Sequence, residues 1–340
     1  MSCAVRWPLD CIAIIRRRQR ESVARRPAIR PRRNPSQMSD LSFQAPEPRQ
    51  AVWRGMTRDA LDIAYDNTSA VPESGLFLAN WSRDSAALRN RMPELVDIEY
   101  GPRDRNRIDI FRCGRPNAPL FVFIHGGYWQ RNSREVFSCM AEGLLPHGID
   151  VALPGYTLAP EADLHDILAE IHASIRWLRR DGPALGVAND RLIVSGWSAG
   201  GHLAASARRL PEVDAVIAIS GIFDLDPIRR GRLNDKLNLS SEDVASLSPM
   251  RDLTDPKGTI SVVYGLQELP ELQRQSEEYA AALGRHGHDC RIFPVKDADH
   301  FSILEKLRHP DGEISRLVST IAHPDVKFTA AACHSFQGQR

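Results

Sequence analysis

The sequence is poor in the features that mark special classes of protein. Its six cysteines (Cys3, Cys11, Cys113, Cys139, Cys290 and Cys333) form no Cys-x-x-Cys pair and have no histidine-rich neighbour at metal-ligand spacing. A zinc ribbon or dithiol redox centre is thereby excluded, and the expectation is inert thiols in a reducing, cytoplasmic compartment, with no metal and no cofactor. There is no internal repeat, heptad or low-complexity tract in the body, so a solenoid or coiled coil is excluded. There is also little net charge, formally +1, but it is unevenly spread: residues 1–37 hold ten Arg, no Lys and two acids, which leaves the other 303 residues at −7. A mildly acidic body has no basic face with which to neutralise phosphates, which argues against nucleic acid as a partner. The longest apolar run in the basic arm, Cys11–Ile15, is too short for a signal-peptide core or a membrane span, so no membrane partner is expected.

What is present suffices for one sizeable core: 340 residues, 42% hydrophobic and 26% charged. Residues 1–37 read as a basic disordered arm, an Arg-rich transit segment, or sequence upstream of a true start at Met38, where composition turns normal; the last is favoured. Residues 38–325 read as a single α/β domain, with a helical segment over 56–92 near its mouth, and residues 326–340 as a tail. Val96–Tyr100 and Ile108–Phe111 alternate as an antiparallel edge pair. Downstream, short apolar runs alternate with amphipathic ones, the pattern of a mostly parallel sheet of about eight strands with helices on both faces. The strands expected are Leu120–Ile124, Ile149–Leu153, Leu192–Ser195, Ala215–Ile219, Ile260–Tyr264 and Arg291–Pro294. Helices are expected near Arg134–Leu145, Asp163–Arg180, Gly201–Arg209, Glu271–Arg285 and Ile314–Ile321.

Two motifs carry chemistry. His125-Gly-Gly-Tyr-Trp129 follows one strand, and Gly196-Trp-Ser-Ala-Gly200 follows another, 73 residues on from His125 to Ser198. Gly-x-Ser-x-Gly alone arises often by chance; between a buried strand and a small-residue helix start it reads as the turn that lifts a serine nucleophile out of the chain. The Gly-Gly loop can aim backbone N–H groups at a developing oxyanion, and Gly127, Tyr128 and Ala199 are the expected donors. A serine hydroxyl needs a base held by a carboxylate. Of the eleven histidines His300 fits by its place after the last strand. His125 reads as a loop organiser, His202 as helix packing, and His286, His288, His309, His323 and His334 as solvated. His147, His165 and His172 precede Ser198, against the chain order of such enzymes. Glu268 is the favoured acid, with Glu271 and Asp224 as rivals. Trp129, Tyr156, Trp197 and Phe301 crowd the motifs and suggest a pocket for a flat small-molecule substrate.

These residues resemble the α/β-hydrolase kynurenine formamidases (arylformamidases) and related bacterial esterases. The resemblance lies in Ile124-His-Gly-Gly-Tyr-Trp-Gln130, Pro154-Gly-Tyr-Thr-Leu-Ala-Pro160, Gly196–His202, Glu268–Ser276 and Asp299-His-Phe-Ser302, across roughly residues 56–322. It implies an α/β-hydrolase fold and a triad of Ser198, Glu268 and His300. It also implies hydrolysis of N-formylkynurenine to kynurenine and formate through an acyl-enzyme. Animal members carry Asp where this chain has Glu268. A broad carboxylesterase on small aryl or alkyl esters is the alternative, and a non-catalytic ligand-binding protein of the same fold the second; a homodimer is allowed.

Overall fold

Among the described residues the two alternating runs and the six apolar ones give eight strands: β1 Ile98–Glu99, β2 Arg107–Phe111, β3 Leu120–Ile124, β4 Asp150–Pro154, β5 Leu192–Trp197, β6 Ala215–Ile219, β7 Thr259–Gly265 and β8 Asp289–Val295. This is seen in a computed structural model that describes residues 50–188, 190–254 and 258–324. The expected arm over 1–37 and tail over 326–340 lie outside the described residues. The strands form one sheet in the order β1-β2-β4-β3-β5-β6-β7-β8. β1 pairs with β2 and β2 with β4 antiparallel, and all other neighbours are parallel. Every residue of β3, β4, β5 and β6 is buried, which is why these runs are unbroken rather than alternating.

Among the described residues twelve α-helices flank the sheet: α1 Arg58–Ala64, α2 Asn67–Ala70, α3 Ser74–Arg91, α4 Arg134–Phe137, α5 Leu164–Asp181, α6 Ala199–Ala207, α7 Asp226–Arg230, α8 Asn234–Leu237, α9 Ser241–Leu247, α10 Pro270–Arg285, α11 Glu305–Arg308 and α12 Glu313–Ala322. α5 begins where the Asp163 side chain accepts the Asp166 N–H, and it buries Leu164, Ile167, Ile171, Ile175 and Leu178 at helical spacing. Side chains from the two faces of the sheet feed two cores. Leu120, Val122 and Ile124 join one with α5 and α6, while Phe121 and Phe123 join the other with α3 and α12. Among the described residues no helix is long and apolar enough to cross a membrane.

Two expectations need correction. The helix expected over 134–145 is α4 followed by 3₁₀ turns at Ser138–Gly143 and Leu145–His147. A Cβ on Gly143 would lie 1.9 Å from the Leu307 carbonyl, so the backbones touch there, and Pro146 bars a regular continuation. The short helices α7, α8 and α9 go beyond the expected set, because pieces of four to seven residues show no apolar period.

β3 is followed by β4 on one side, and the chain then crosses to β5 on the other. Ile124 and Gly196 are partners in the β3–β5 register, so both motif loops leave the sheet side by side at its C-terminal edge. The N-terminal helices are fastened next to that edge through Asp109 on β2, whose side chain is wholly buried. Its carboxylate accepts from Arg89 of α3, from the Asp97 N–H at 2.8 Å, from Arg134 Nε at 3.2 Å and from Ser138 Oγ at 3.3 Å. Asp109→Ala removes the buried acceptor of the Asp97 N–H, Ser138 and Arg89, while Arg134 keeps Asp97 and Glu135; it is expected to cost about 2–3 kcal/mol in urea unfolding. A loss below about 1 kcal/mol would show that the node does not hold the segment.

Candidate active site

β5 ends in a turn that only small neighbours permit. Ser198 stands between β5 and α6 with φ 58° and ψ −118°, a strained conformation for a residue with a side chain. The turn is pinned by its N–H to the Ile219 carbonyl at 2.9 Å and by its carbonyl to the His202 N–H at 3.1 Å. Strand and helix then cross almost in backbone contact. A Cβ on Gly196 would sit 2.2 Å from the Gly200 carbonyl oxygen, and one on Gly200 would sit 2.0 Å from that of Ile124. A Cβ on Gly126 would lie 3.1 Å from Ser198 Cβ, which puts the loop after β3 directly against the serine.

His300 and Glu268 come together across 32 residues of sequence. His300 Nδ1 lies 3.2 Å from Glu268 Oε2, with both side chains almost completely excluded from solvent. The histidine is set beside the serine turn by Trp197, which precedes Ser198: the indole Nε1 donates to the His300 carbonyl at 2.8 Å, and the two rings lie 4.9 Å apart. The other carboxylate oxygen, Glu268 Oε1, accepts from Ser220 Oγ at 2.5 Å and from the Gly265 N–H at 2.8 Å. The rivals stand elsewhere. Glu271 accepts from Trp53, Tyr65 and Arg274; burial pushes its carboxyl up, but the Arg274 hydrogen bond and charge, with Tyr65 and Trp53, hold it below its ordinary range. Asp224 accepts the Asp226 N–H at 3.1 Å and lies 3.7 Å from Arg251.

Gly127, Tyr128 and Trp129 all have positive φ, at 121°, 53° and 57°. Gly127 is obligatory, since a Cβ there would meet the Arg131 carbonyl at 2.4 Å. Among the described residues no carbonyl or side-chain oxygen takes up the N–H groups of Gly127, Tyr128 or Ala199, the last at the start of α6. His125 Nδ1 and Asn132 Nδ2 reach the Gly126 carbonyl at 2.9 and 3.2 Å. In a planar trans amide the carbonyl and the following N–H point in opposite directions, so these contacts turn the Gly127 N–H the other way. The strap between α1 and α2 closes on the same loop: Tyr128 Oη donates to the Tyr65 carbonyl at 2.5 Å and accepts from Asn67 at 2.9 Å.

The four aromatics divide. Trp197 and Phe301 pack with each other and with Trp81 beside His300, at centroid distances of 5.4, 6.0 and 6.3 Å. Trp129 and Tyr156 do not wall a pocket as expected. Both are wholly buried, Trp129 edge-on to His202 at 5.0 Å and Tyr156 stacked on His125 at 4.3 Å with its hydroxyl on the His125 carbonyl. They support the loop and α6 from beneath. His288 is another correction: it is buried, bridging Arg208 and the Leu253 carbonyl. Ser220, Asn132 and Gln275, whose amide ties Tyr65 to the loop after β6, carry no local signal in the sequence. Among the described residues no cluster of three His, Cys, Asp or Glu could hold a metal ion.

Burial pushes the His125 and His202 imidazoles down to about 4, so both are neutral near pH 7. The unfolded chain takes up these protons below pH about 6.5 while the folded one does not, so stability is full above that value and falls as pH drops toward 4. By pH 5 each should cost about 2 kcal/mol. Urea unfolding of His202→Gln between pH 7 and 5 should therefore show a shallower pH slope than the parent; equal slopes would refute the buried neutral state.

Residues 108–208, spanning β2 to α6, match the family described as BD-FAE. Kynurenine formamidase of Drosophila melanogaster is 30% identical over 245 residues, 67% of this chain and 78% of that protein. Kynurenine formamidase of Danio rerio is 28% identical over 276 residues, 75% and 93% of the two chains. Among solved structures, a Silicibacter protein described as a thioesterase candidate superposes with a TM-score of 0.69 at 26% identity, covering 76% of this chain and 98% of that one. By its 30% identity over two thirds of its length to one of these enzymes, the chain belongs to the kynurenine formamidase family of α/β-hydrolases.

Proposed function

We propose that this protein hydrolyses N-formylkynurenine to kynurenine and formate, a step of tryptophan breakdown, with Ser198 as nucleophile, His300 as base and Glu268 as the group that orients it. The observation that carries the reading is the Glu268–His300 contact at 3.2 Å, set by Trp197 against the serine turn and beside three unengaged backbone N–H groups. Ser198 Oγ attacks the formyl carbon as His300 Nε2 takes its proton, and the carbonyl oxygen gains the charge. The N–H groups of Gly127, Tyr128 and Ala199 stabilise that charge without reorganising. His300 returns the proton to the aryl amine as the C–N bond breaks. Water, deprotonated by the same imidazole, then releases formate from the formyl-serine.

The aryl ring withdraws the nitrogen lone pair, so this amide is easier to cleave than a peptide bond. A formyl group is also small enough for a reacting centre as enclosed as this one, where Ser198 and His300 are both buried. The three described cysteines, Cys113, Cys139 and Cys290, are free thiols, which supports a reducing, cytoplasmic setting.

The kcat/KM for N-formylkynurenine should exceed that for p-nitrophenyl acetate; a large preference for the acetate would assign a carboxylesterase instead. A fluorophosphonate probe should label the parent and not Ser198→Ala, and labelling of the variant would remove Ser198 as nucleophile. Glu268→Gln is expected to lower kcat by about 10⁴, the cost of losing the correct imidazole tautomer. Ser220→Ala, which leaves Oε1 to the Gly265 N–H alone, should lower it about tenfold, as one buried hydrogen bond is worth. An unchanged kcat in Glu268→Gln would sink the triad.

A further inference from the structure

The turn between β1 and β2 carries a half-buried arginine whose charge has no opposite partner. Asn106 fixes the turn: it accepts the Arg103 N–H at 3.1 Å and donates through Nδ2 to Glu170 Oε2 of α5 at 2.8 Å. A Cβ on Gly155, just past β4, would lie 2.6 Å from the Arg105 carbonyl oxygen, so the turn is pressed against the chain leaving that strand. The neighbouring Arg107 and Arg134 pair with Glu99, Asp97, Asp109 and Glu135. Among the described residues Arg105 has no carboxylate, and its guanidinium serves two backbone carbonyls instead. Nε donates to that of Tyr156 at 2.8 Å and Nη2 to that of Asn132 at 2.6 Å.

Both of those residues act on one peptide bond. Tyr156 stacks on His125 at 4.3 Å and donates its hydroxyl to the His125 carbonyl at 3.0 Å, while His125 Nδ1 lies 2.9 Å from the Gly126 carbonyl oxygen. That oxygen can only accept, so Nδ1 carries the ring proton. Burial, with a smaller part from the Arg105 charge, keeps the imidazole neutral against the Gly126 hydrogen bond. From the other side Asn132, held in the left-handed region at φ 72°, donates Nδ2 to the same oxygen at 3.2 Å. Each donor to the Gly126 oxygen is therefore backed by one arm of a single planar fork. Fixing that oxygen fixes the Gly126–Gly127 amide plane, and with it the direction of the Gly127 N–H.

We infer that Arg105 is a positioning residue of the oxyanion hole, aiming the Gly127 N–H through Tyr156 and His125 on one side and Asn132 on the other. A lysine, a point charge without the fork, could not hold both carbonyls in that geometry. The role rests on the serine-hydrolase reading but not on the choice of substrate, because the N–H acts on a carbonyl oxygen that formamides and esters share.

Arg105→Met keeps the reach of the stem and removes every donor. It should lower kcat for N-formylkynurenine and for p-nitrophenyl acetate by the same factor, about 10–30-fold with KM unchanged, since a misaimed donor forfeits part of the 10²–10³ that a lost one costs. The Kd of phenylboronic acid, whose tetrahedral adduct on Ser198 imitates the charged intermediate, should rise by that factor, while the Kd of L-kynurenine, which forms no adduct, should stay within about twofold. Arg105→Lys should fall between Arg105→Met and the parent. In an Asn132→Ala background Arg105→Met should cost clearly less than in the parent, because the two residues act on one oxygen. An unchanged kcat in Arg105→Met, a loss confined to KM, equal weakening of both ligands, or fully additive losses with Asn132→Ala would each overturn the role. If near-UV circular dichroism shows Arg105→Met unfolded, Arg105→Lys carries the same comparison, and parental kcat in that variant would overturn it. A parent that cleaves neither substrate sinks the hydrolase reading and the role together; a parent that cleaves either, matched by its Arg105 variants, sinks the role alone.

Discussion

Everything at this site depends on backbones being allowed to touch. Ser198 holds a conformation worth roughly 1–3 kcal/mol of strain, and it does so because Gly196, Gly200 and Gly126 let β5, α6 and the loop after β3 approach to distances no Cβ would tolerate. The same contacts press the loop that carries Gly127 and the start of α6 against one serine. Because the glycines sit at the ends of buried parallel strands, the turn is anchored by the most rigid part of the molecule. The strain is therefore borne by the sheet and not by the loop after β3.

A second layer of constraint comes from outside the sheet. The strap between α1 and α2 fastens Tyr128 through Tyr65 and Asn67, and Tyr65 is itself held by Glu271 and Gln275. Gln275 in turn accepts the Phe223 and Asp224 N–H groups after β6. One connected set of hydrogen bonds thus joins the loops after β3 and β6 and the start of α10. α3 adds an aromatic contact, Trp81 against Trp197, on the side where His300 lies. The N-terminal segment is a structural part of the site, and Asp109 is where it is tied to the sheet.

Much of this was legible in the chain because it rests on local pattern. Unbroken apolar runs such as Leu120–Ile124 read as strands buried on both faces, and motifs placed at strand ends follow from chain order. What was not legible depends on which side of a chain a ring or carboxylate falls. Glu268 and Glu271 are three residues apart, and only the start of α10 decides that one faces His300 and the other faces Arg274. Trp129 belongs to the loop after β3 in sequence, yet with its positive φ its ring is wholly buried against His202 of α6. Ser220 and Asn132 are single polar residues whose partners lie 48 and six positions away, so neither periodicity nor motif could single them out.

A glutamate at position 268 is suited to the same geometry. A glutamate has one more rotatable bond, so fixing it costs more side-chain entropy, and a loosely held carboxylate would orient the imidazole poorly. Here the extra freedom is removed at the far oxygen. Ser220 and the Gly265 N–H both hold Oε1, which leaves Oε2 to His300 Nδ1 among the described residues. Gly265 can serve because a Cβ there would lie 2.1 Å from the Ala298 carbonyl, so the loops after β7 and β8 are pressed together at the point where the acid emerges. Ser220, with φ of 51°, reaches across from the neighbouring β6. The longer acid is thus matched by a clamp drawn from two adjacent strands, which fixes the carboxylate that meets His300 Nδ1.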